Sequence, residues 1–157
     1  MSEIRFYHLT RSPLWVTLPV LLEKSLQRGW RVLLHCGASV QMDFLDDMLW
    51  KSNPDSFIPH GLEGAKNAAD QPVLLGKSGE NLNNANVLML LEGAHCLPDE
   101  MAKYEITCVF FNGNDPAALD IARSDWKAVN AAKLRAVYWA QDENGAWMQR
   151  AISDPAG

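Results

Sequence analysis

Two rhythms of hydrophobic and polar residues alternate along the chain. Ile4 to Leu9 is a short apolar segment with two aromatics and predicts a strand. Leu14, Leu18, Leu21, Leu22 and Leu26 recur at helical spacing, with Ser12-Pro13 as a start signal and Gly29 as a stop. Pro19 is awkward inside that pattern and moves the expected start toward Thr17. Arg31 to Cys36 is a short apolar run of the kind buried in a parallel sheet. Ser39 opens a second helical pattern in which Val40, Phe44, Leu45, Met48 and Leu49 share a face. Pro54, Pro59 and Gly61 break up the next stretch, and residues 61–71 read as a mobile loop. Pro72 to Leu75 is a weak strand signal, whereas Asn86 to Leu91 and Ile106 to Phe111 are strong ones. Asp115-Pro116 predicts a capped helix running to about Ala132. Leu134 to Ala140 is a further strand, and Glu143-Asn144-Gly145 is a turn from which Ala146 to Gln149 pairs back.

This alternation predicts one α/β domain, a mostly parallel sheet flanked by helices, over residues 1–150, with 151–157 as a flexible tail. A chain of 157 residues buries enough surface to fold without metal or disulfide. The net charge of −5 argues against a protein built to coat nucleic acid. Cys36, Cys96 and Cys108 are odd in number, widely spaced and set in apolar surroundings, so reduced buried thiols and a cytoplasmic location are expected. No apolar signal core and no membrane-length apolar stretch is present in the sequence.

Several motifs look like chemistry and read more simply as structure. Gly76-Lys77-Ser78 matches the end of a phosphate-binding loop, but position 71, where the loop needs its first glycine, is Gln. The simpler reading is a polar turn. Glu92 follows an apolar strand as a magnesium-holding acid would, yet without the loop it has nothing to coordinate. A nucleotide hydrolase using Lys77, Ser78 and Glu92 is therefore the enzymatic alternative. His35-Cys36 and His95-Cys96 pair neighbours that point to opposite sides of a strand, a poor zinc set. Asp46 and Asp47 diverge on their helix and read as a solvated face.

One constellation stands apart. Arg123, Trp126, Lys127 and Asn130 share a face of the helix that starts at Pro116, with Ile121, Ala122 and Val129 expected on the opposing apolar side, which sets Trp126 between two cations near the edge of the buried stripe. Lys133 and Arg135 follow. Between Ile121 and Ala140 four cations face a single acid, Asp125. A basic patch with an aromatic floor suits an acidic peptide carrying its own aromatic residue. The plain alternative is a core tryptophan beside ordinary solvated cations. Direct binding of single-stranded nucleic acid is another, though one aromatic and four cations make a small site for it.

Over most of its length the chain resembles the chi subunit of the bacterial DNA polymerase III holoenzyme, a clamp-loader accessory family. The likeness runs from Phe6-Tyr7-His8-Leu9 through Leu22-Glu23-Lys24 and Arg28-Gly29-Trp30-Arg31-Val32-Leu33. It continues through Leu45-Asp46-Asp47-Met48-Leu49-Trp50, Ser56-Phe57-Ile58-Pro59-His60-Gly61 and Ala122-Arg123-Ser124-Asp125-Trp126-Lys127 to the Trp147 region. The resemblance implies a non-enzymatic adaptor with a nucleotide-binding-like topology, no phosphate loop and no cofactor. It implies two partners: the acidic, phenylalanine-ending tail of the single-stranded-DNA-binding protein, and psi or another clamp-loader subunit. Nucleic acid would be contacted indirectly. The family's tail-binding arginine, aromatic and lysine fall on Arg123, Trp126 and Lys127, with tryptophan where the best-known members have tyrosine. A further family lysine falls on Leu119, so either the pocket is less basic here or Lys133 or Arg135 supplies the charge. The psi-facing aromatics fall on Trp50 and Phe57.

Overall fold

The computed structural model describes residues 2–10, 14–37, 42–51, 58–91 and 93–154. The helix starts expected at Ser12-Pro13 and Ser39, the acid Glu92 and the aromatic Phe57 lie outside them. Eight strands form one sheet: β1 Glu3–Leu9, β2 Val32–His35, β3 His60–Leu62, β4 Val73–Gly76, β5 Val87–Leu90, β6 Ile106–Asn112, β7 Arg135–Gln141 and β8 Trp147–Ser153. They lie in the order β3-β4-β2-β5-β6-β1-β7-β8. All neighbours are parallel except β7 and β8, which form an antiparallel hairpin.

The helices are α1 Leu14–Gln27, α2 Met42–Lys51, α3 Pro98–Met101 and α4 Pro116–Ala131. The chain moves toward the β3 edge through α1 and α2, and toward the β8 edge through α3 and α4. Right-handed crossovers therefore place the two pairs on opposite faces. The core divides accordingly. One half packs Leu18, Leu22, Leu45 and Leu49 against one side of the sheet, and the other packs Met101, Ala122 and Val129 against the reverse. Strands β4 and β5 are buried at every position, which explains their uninterrupted apolar runs. Burial of Leu18 and Leu22, both fully enclosed, contributes roughly 1.5–3 kcal/mol each.

The departures from expectation have local causes. Pro19 sits inside α1, buried, so the helix forgoes one backbone hydrogen bond rather than beginning later. Phe44 does not join the buried face of α2: it is 58% exposed and meets Trp15, itself 55% exposed, edge to face at 6.4 Å. Residues 61–71 contain the end of β3 and a 3-10 turn, Ala68–Asp70, pinned by buried Ala68. Asp46, expected on a solvated face, accepts from Nε2 of fully buried His60 at 2.8 Å, and Trp50, one turn on, packs against that ring, tilted at 53°, with centroids 4.6 Å apart. Strand β8 runs through Ser153, so residues 151–153, expected in the tail, pair with β7, and Asp154 binds Arg135. The short helix α3 leaves no periodic signal because it is a single turn.

Candidate functional site

Helix α4 begins as its sequence requires. Asp115 is its N-cap, accepting from the Ala117 amide at 3.1 Å, and Pro116 occupies the first turn. It ends in a Schellman motif: the Lys133 amide donates to Asn130 O at 3.0 Å and the Leu134 amide to Val129 O at 3.2 Å. Lys133 takes the left-handed position, φ +62°, that glycine usually fills.

The buried stripe of α4 is Ala122 and Val129, with Ala118, Leu119 and Trp126 packed at its margin. Trp126 therefore lies at the edge of the buried stripe, where the sequence places it. Its ring meets Phe6 at 5.4 Å and Tyr138 at 5.9 Å, both edge to face. Ile121, expected in the stripe, is 60% exposed on the other flank.

Beyond Trp126 the flank is basic. Arg123 and Lys127 are exposed. Among the described residues Arg123 makes a loose ion pair with Asp120 at 3.7 Å, and Lys127 pairs with no described carboxylate. Surface pairs of that kind are worth little, so both charges are available to a ligand. Burial pushes the Tyr138 phenol above its ordinary value, and the Arg123 guanidinium partly offsets this. Tyr138 Oη and His8 Nδ1 are hydrogen-bonded at 2.8 Å. Met148 lies across the hairpin from Ala140, on the same side of the sheet as Tyr138, and is 44% exposed. Trp126 and Tyr138 thus form an apolar floor beside Arg123 and Lys127, with Met148 exposed further out on the same side of the sheet.

Two of the sequence candidates are engaged by the chain itself. The Asn130 amide donates to Trp126 O at 2.8 Å, while its buried Oδ1 has no partner among the described residues. Arg135 is engaged by Glu3 at 2.8 Å and by Asp154, so it ties β7 to β1 and to the chain beyond β8. Lys133 stays exposed at the helix end. Tyr138 and Met148 carry no comparable signal in the sequence. Period-two alternation in β7 groups Ala136, Tyr138 and Ala140, but only the position of α4 over that side marks them as a site.

The opposite flank of α4 has the reverse character. A cavity of about 430 Å³ opens between α4 and the ends of β5 and β6, bordered by Ile121, Asp115, Asp125 and His95. Asp125 accepts from His95 Nε2 at 3.1 Å. Trp50 and Phe57 are not part of either flank: Trp50 belongs to α2, and Phe57 is outside the described residues. No three His, Cys, Asp or Glu side chains gather to hold a metal among the described residues. No described helix is long and apolar enough to cross a membrane.

Comparison with known proteins agrees with the sequence resemblance. The family model for the DNA polymerase III chi subunit, HolC, matches residues 1–136, which include all of α4 and Lys133. A DNA polymerase III subunit chi of Pseudomonas aeruginosa is 34% identical over 94 residues, 58% of this chain and 65% of its own length. A probable DNA polymerase III subunit chi of Rickettsia prowazekii is 26% identical over 103 residues, 66% of this chain and 59% of its own. A third, from Haemophilus influenzae, is 31% identical over 65 residues, 41% of this chain and 45% of its own. The chain thus spans just under two thirds of the length of the first two relatives. A model match over that extent, on a parallel α/β sheet of this order, makes the chain a member of the DNA polymerase III chi subunit family.

Proposed function

We propose that this chain is a non-enzymatic replication adaptor. It holds the acidic, phenylalanine-ending tail of the single-stranded-DNA-binding protein on the basic flank of α4, and it joins that protein to the clamp loader in the bacterial cytoplasm. The observation that carries the reading is one juxtaposition: a half-buried Trp126 at an open helix edge, with Arg123 and Lys127 exposed beside it. The terminal carboxylate of the tail pairs with Arg123 or Lys127, and its phenylalanine packs on Trp126 against Tyr138. Lys133 adds charge at the helix end. Asn130 contributes by fixing the backbone under the tryptophan rather than by reaching the ligand.

The desolvated aromatic supplies most of the affinity and the charges supply orientation and encounter rate. A contact this small supports micromolar binding, roughly −8 kcal/mol. Fluorescence anisotropy of a labelled tail peptide, titrated at low and moderate salt, tests the reading. Micromolar saturation that weakens with salt and vanishes when the terminal phenylalanine is removed is the expected result. No saturation at low salt overturns it.

The second docking face is assigned to the α1–α2 side of the sheet. Trp15, Val16, Val20 and Phe44 are exposed there, and Trp50 shows 56% of its surface while packing at a tilt against His60. Apolar surface of that extent supports a partner contact. Psi or another clamp-loader subunit is the partner proposed for it. Loss of co-purification with the clamp loader on Phe44→Ala or Trp50→Ala, with tail binding intact, is the expected result.

A further inference from the structure

A second cationic region lies at the other end of the sheet. Strands β2, β3 and β4 end together, and their pairing continues past the strands: the Glu63 amide donates to Leu75 O at 2.7 Å, and the Cys36 amide to Gly76 O at 2.8 Å. This carboxyl end of a parallel sheet is where open α/β folds take their ligands. The turn leaving β4 is Gly76-Lys77-Ser78-Gly79, the segment whose sequence resembles the close of a phosphate-binding loop.

Its donors point at one acceptor. Glu63 Oε2 accepts from the backbone amides of Lys77 at 3.2 Å and Ser78 at 3.4 Å, and Oε1 accepts from the Ser78 hydroxyl. Two features of the turn make room for this. A Cβ on Gly76 would stand 3.2 Å from Glu63 Oε1, so glycine lets the carboxylate come close. Gly79, at φ +77°, lets the His35 ring lie against the turn: a Cβ there would be 2.9 Å from His35 Cε1. The Lys77 ammonium acts on the same corner, opposing the burial that pushes the Cys36 thiol up to about 11. Successive amides and a hydroxyl around one carboxylate, with a histidine whose charge also acts on it, make an anion nest that already contains its anion.

We infer that the β2–β3–β4 end is an anion site occupied by the chain's own Glu63 carboxylate, and that removing this carboxylate opens it to a phosphate group. In the wild-type chain the carboxylate repels and displaces phosphate. Without it, the Lys77 and Ser78 amides and the Ser78 hydroxyl are left needing an acceptor, and the Lys77 cation carried by the same turn favours a negative one. A tetrahedral oxyanion meets both demands. The Gly-Lys-Ser turn is silent toward phosphate because it is filled from within. This inference is independent of the α4 docking reading.

Inorganic phosphate is the probe, titrated at constant ionic strength into the isotope-labelled full chain while the amide resonances of Lys77, Ser78 and Gly79 are followed. Glu63→Ala should show saturable shifts confined to this turn, with an apparent affinity at least about tenfold tighter than the wild type. Adding Lys77→Ala should return it to the wild-type level. A folded Glu63→Ala chain whose shifts match the wild type, or do not depend on Lys77, overturns the inference. Should Glu63→Ala fail to fold, Glu63→Ser, which also withdraws the carboxylate from the turn, carries the same two outcomes.

Discussion

The α4 flank and the β4 turn each present a lysine beside hydrogen-bonding groups, and they differ in where the balancing negative charge sits. At the β4 turn it is internal: Glu63 takes the amides of Lys77 and Ser78 and the Ser78 hydroxyl. At α4 the described acids give only Asp120, 3.7 Å from Arg123, and no pair for Lys127. The turn whose sequence resembles the close of a phosphate-binding loop is closed by its own chain, and the helix whose sequence groups cations around a tryptophan is open. A basic residue signals an anion site only after its nearest carboxylate has been accounted for.

The largest test of this contrast is Trp126→Ala. The ring contacts Phe6 and Tyr138, so the substitution should destabilise the fold by about 2–4 kcal/mol. The expected loss of tail-peptide affinity is about 1–3 kcal/mol. Denaturant unfolding and peptide anisotropy measure the two separately. Trp126→Tyr, which keeps an aromatic face, should recover most of both. Normal tail binding by Trp126→Ala would remove the aromatic floor from the proposal.

Charge reversal separates the two regions next. Arg123→Glu should weaken the peptide by roughly tenfold to a hundredfold, with unfolding free energy shifted by no more than about 0.5 kcal/mol, since the side chain is exposed. Lys77→Glu should leave peptide affinity unchanged. Equal losses from both variants would mean that the peptide senses the overall charge of the chain and not a site on α4.

The legibility of these regions in the sequence depends on the forces that fix each one. The buried strands are readable because burial on both faces leaves uninterrupted apolar runs, as in Val87–Leu90. The start of α4 is readable because Asp115-Pro116 carries a local mechanism for beginning a helix. Strand β3 gives no signal because three residues at a sheet edge cannot establish a period. The cation stripe of α4 is readable from spacing, whereas Tyr138 and Met148 depend on β1 being inserted between β6 and β7, a topological fact. The Glu63 contact joins residues 14 and 15 positions apart across two parallel strands, and nothing local announces it. Likewise His60 reaches Asp46 only because α2 packs beside β3.

Lys133 sharpens the comparison from the side of stability. Its left-handed backbone, φ +62°, is one that glycine adopts without strain. Lys133→Gly should therefore stabilise the chain by about 0.5–1 kcal/mol in denaturant unfolding. If Lys133 also steers the tail, the same variant should bind the peptide modestly more weakly and show a shallower salt dependence. A gain in stability with unchanged salt dependence would confine the docking charge to Arg123 and Lys127.

The smallest expected effect is the pH signature of the filled site. The Glu63 carboxyl is held below its ordinary value, first by the Ser78 hydroxyl and then by the Lys77 and Ser78 amides, with His35 adding to the effect against a raising influence of burial. The unfolded chain lacks these partners, so it binds that proton at a higher pH than the folded chain. The stabilisation is complete above the unfolded glutamate range and is lost as pH falls through the depressed folded value. Glu3 contributes in the same direction: burial pushes its carboxyl up, and the hydrogen bonds from Arg5 and Arg135 outweigh it. Thermal midpoints followed from about pH 7 to about pH 3 should therefore fall less steeply for Glu63→Gln than for the wild type, without the slope disappearing. Because Glu63 is only partly shielded from solvent, screening keeps the change small. Lys127→Ala should track the wild-type curve, since its charge has no described carboxylate to hold ionised. A Glu63→Gln curve parallel to the wild type would mean that the carboxylate gains nothing from the turn, and the two cationic regions would then differ in sequence alone.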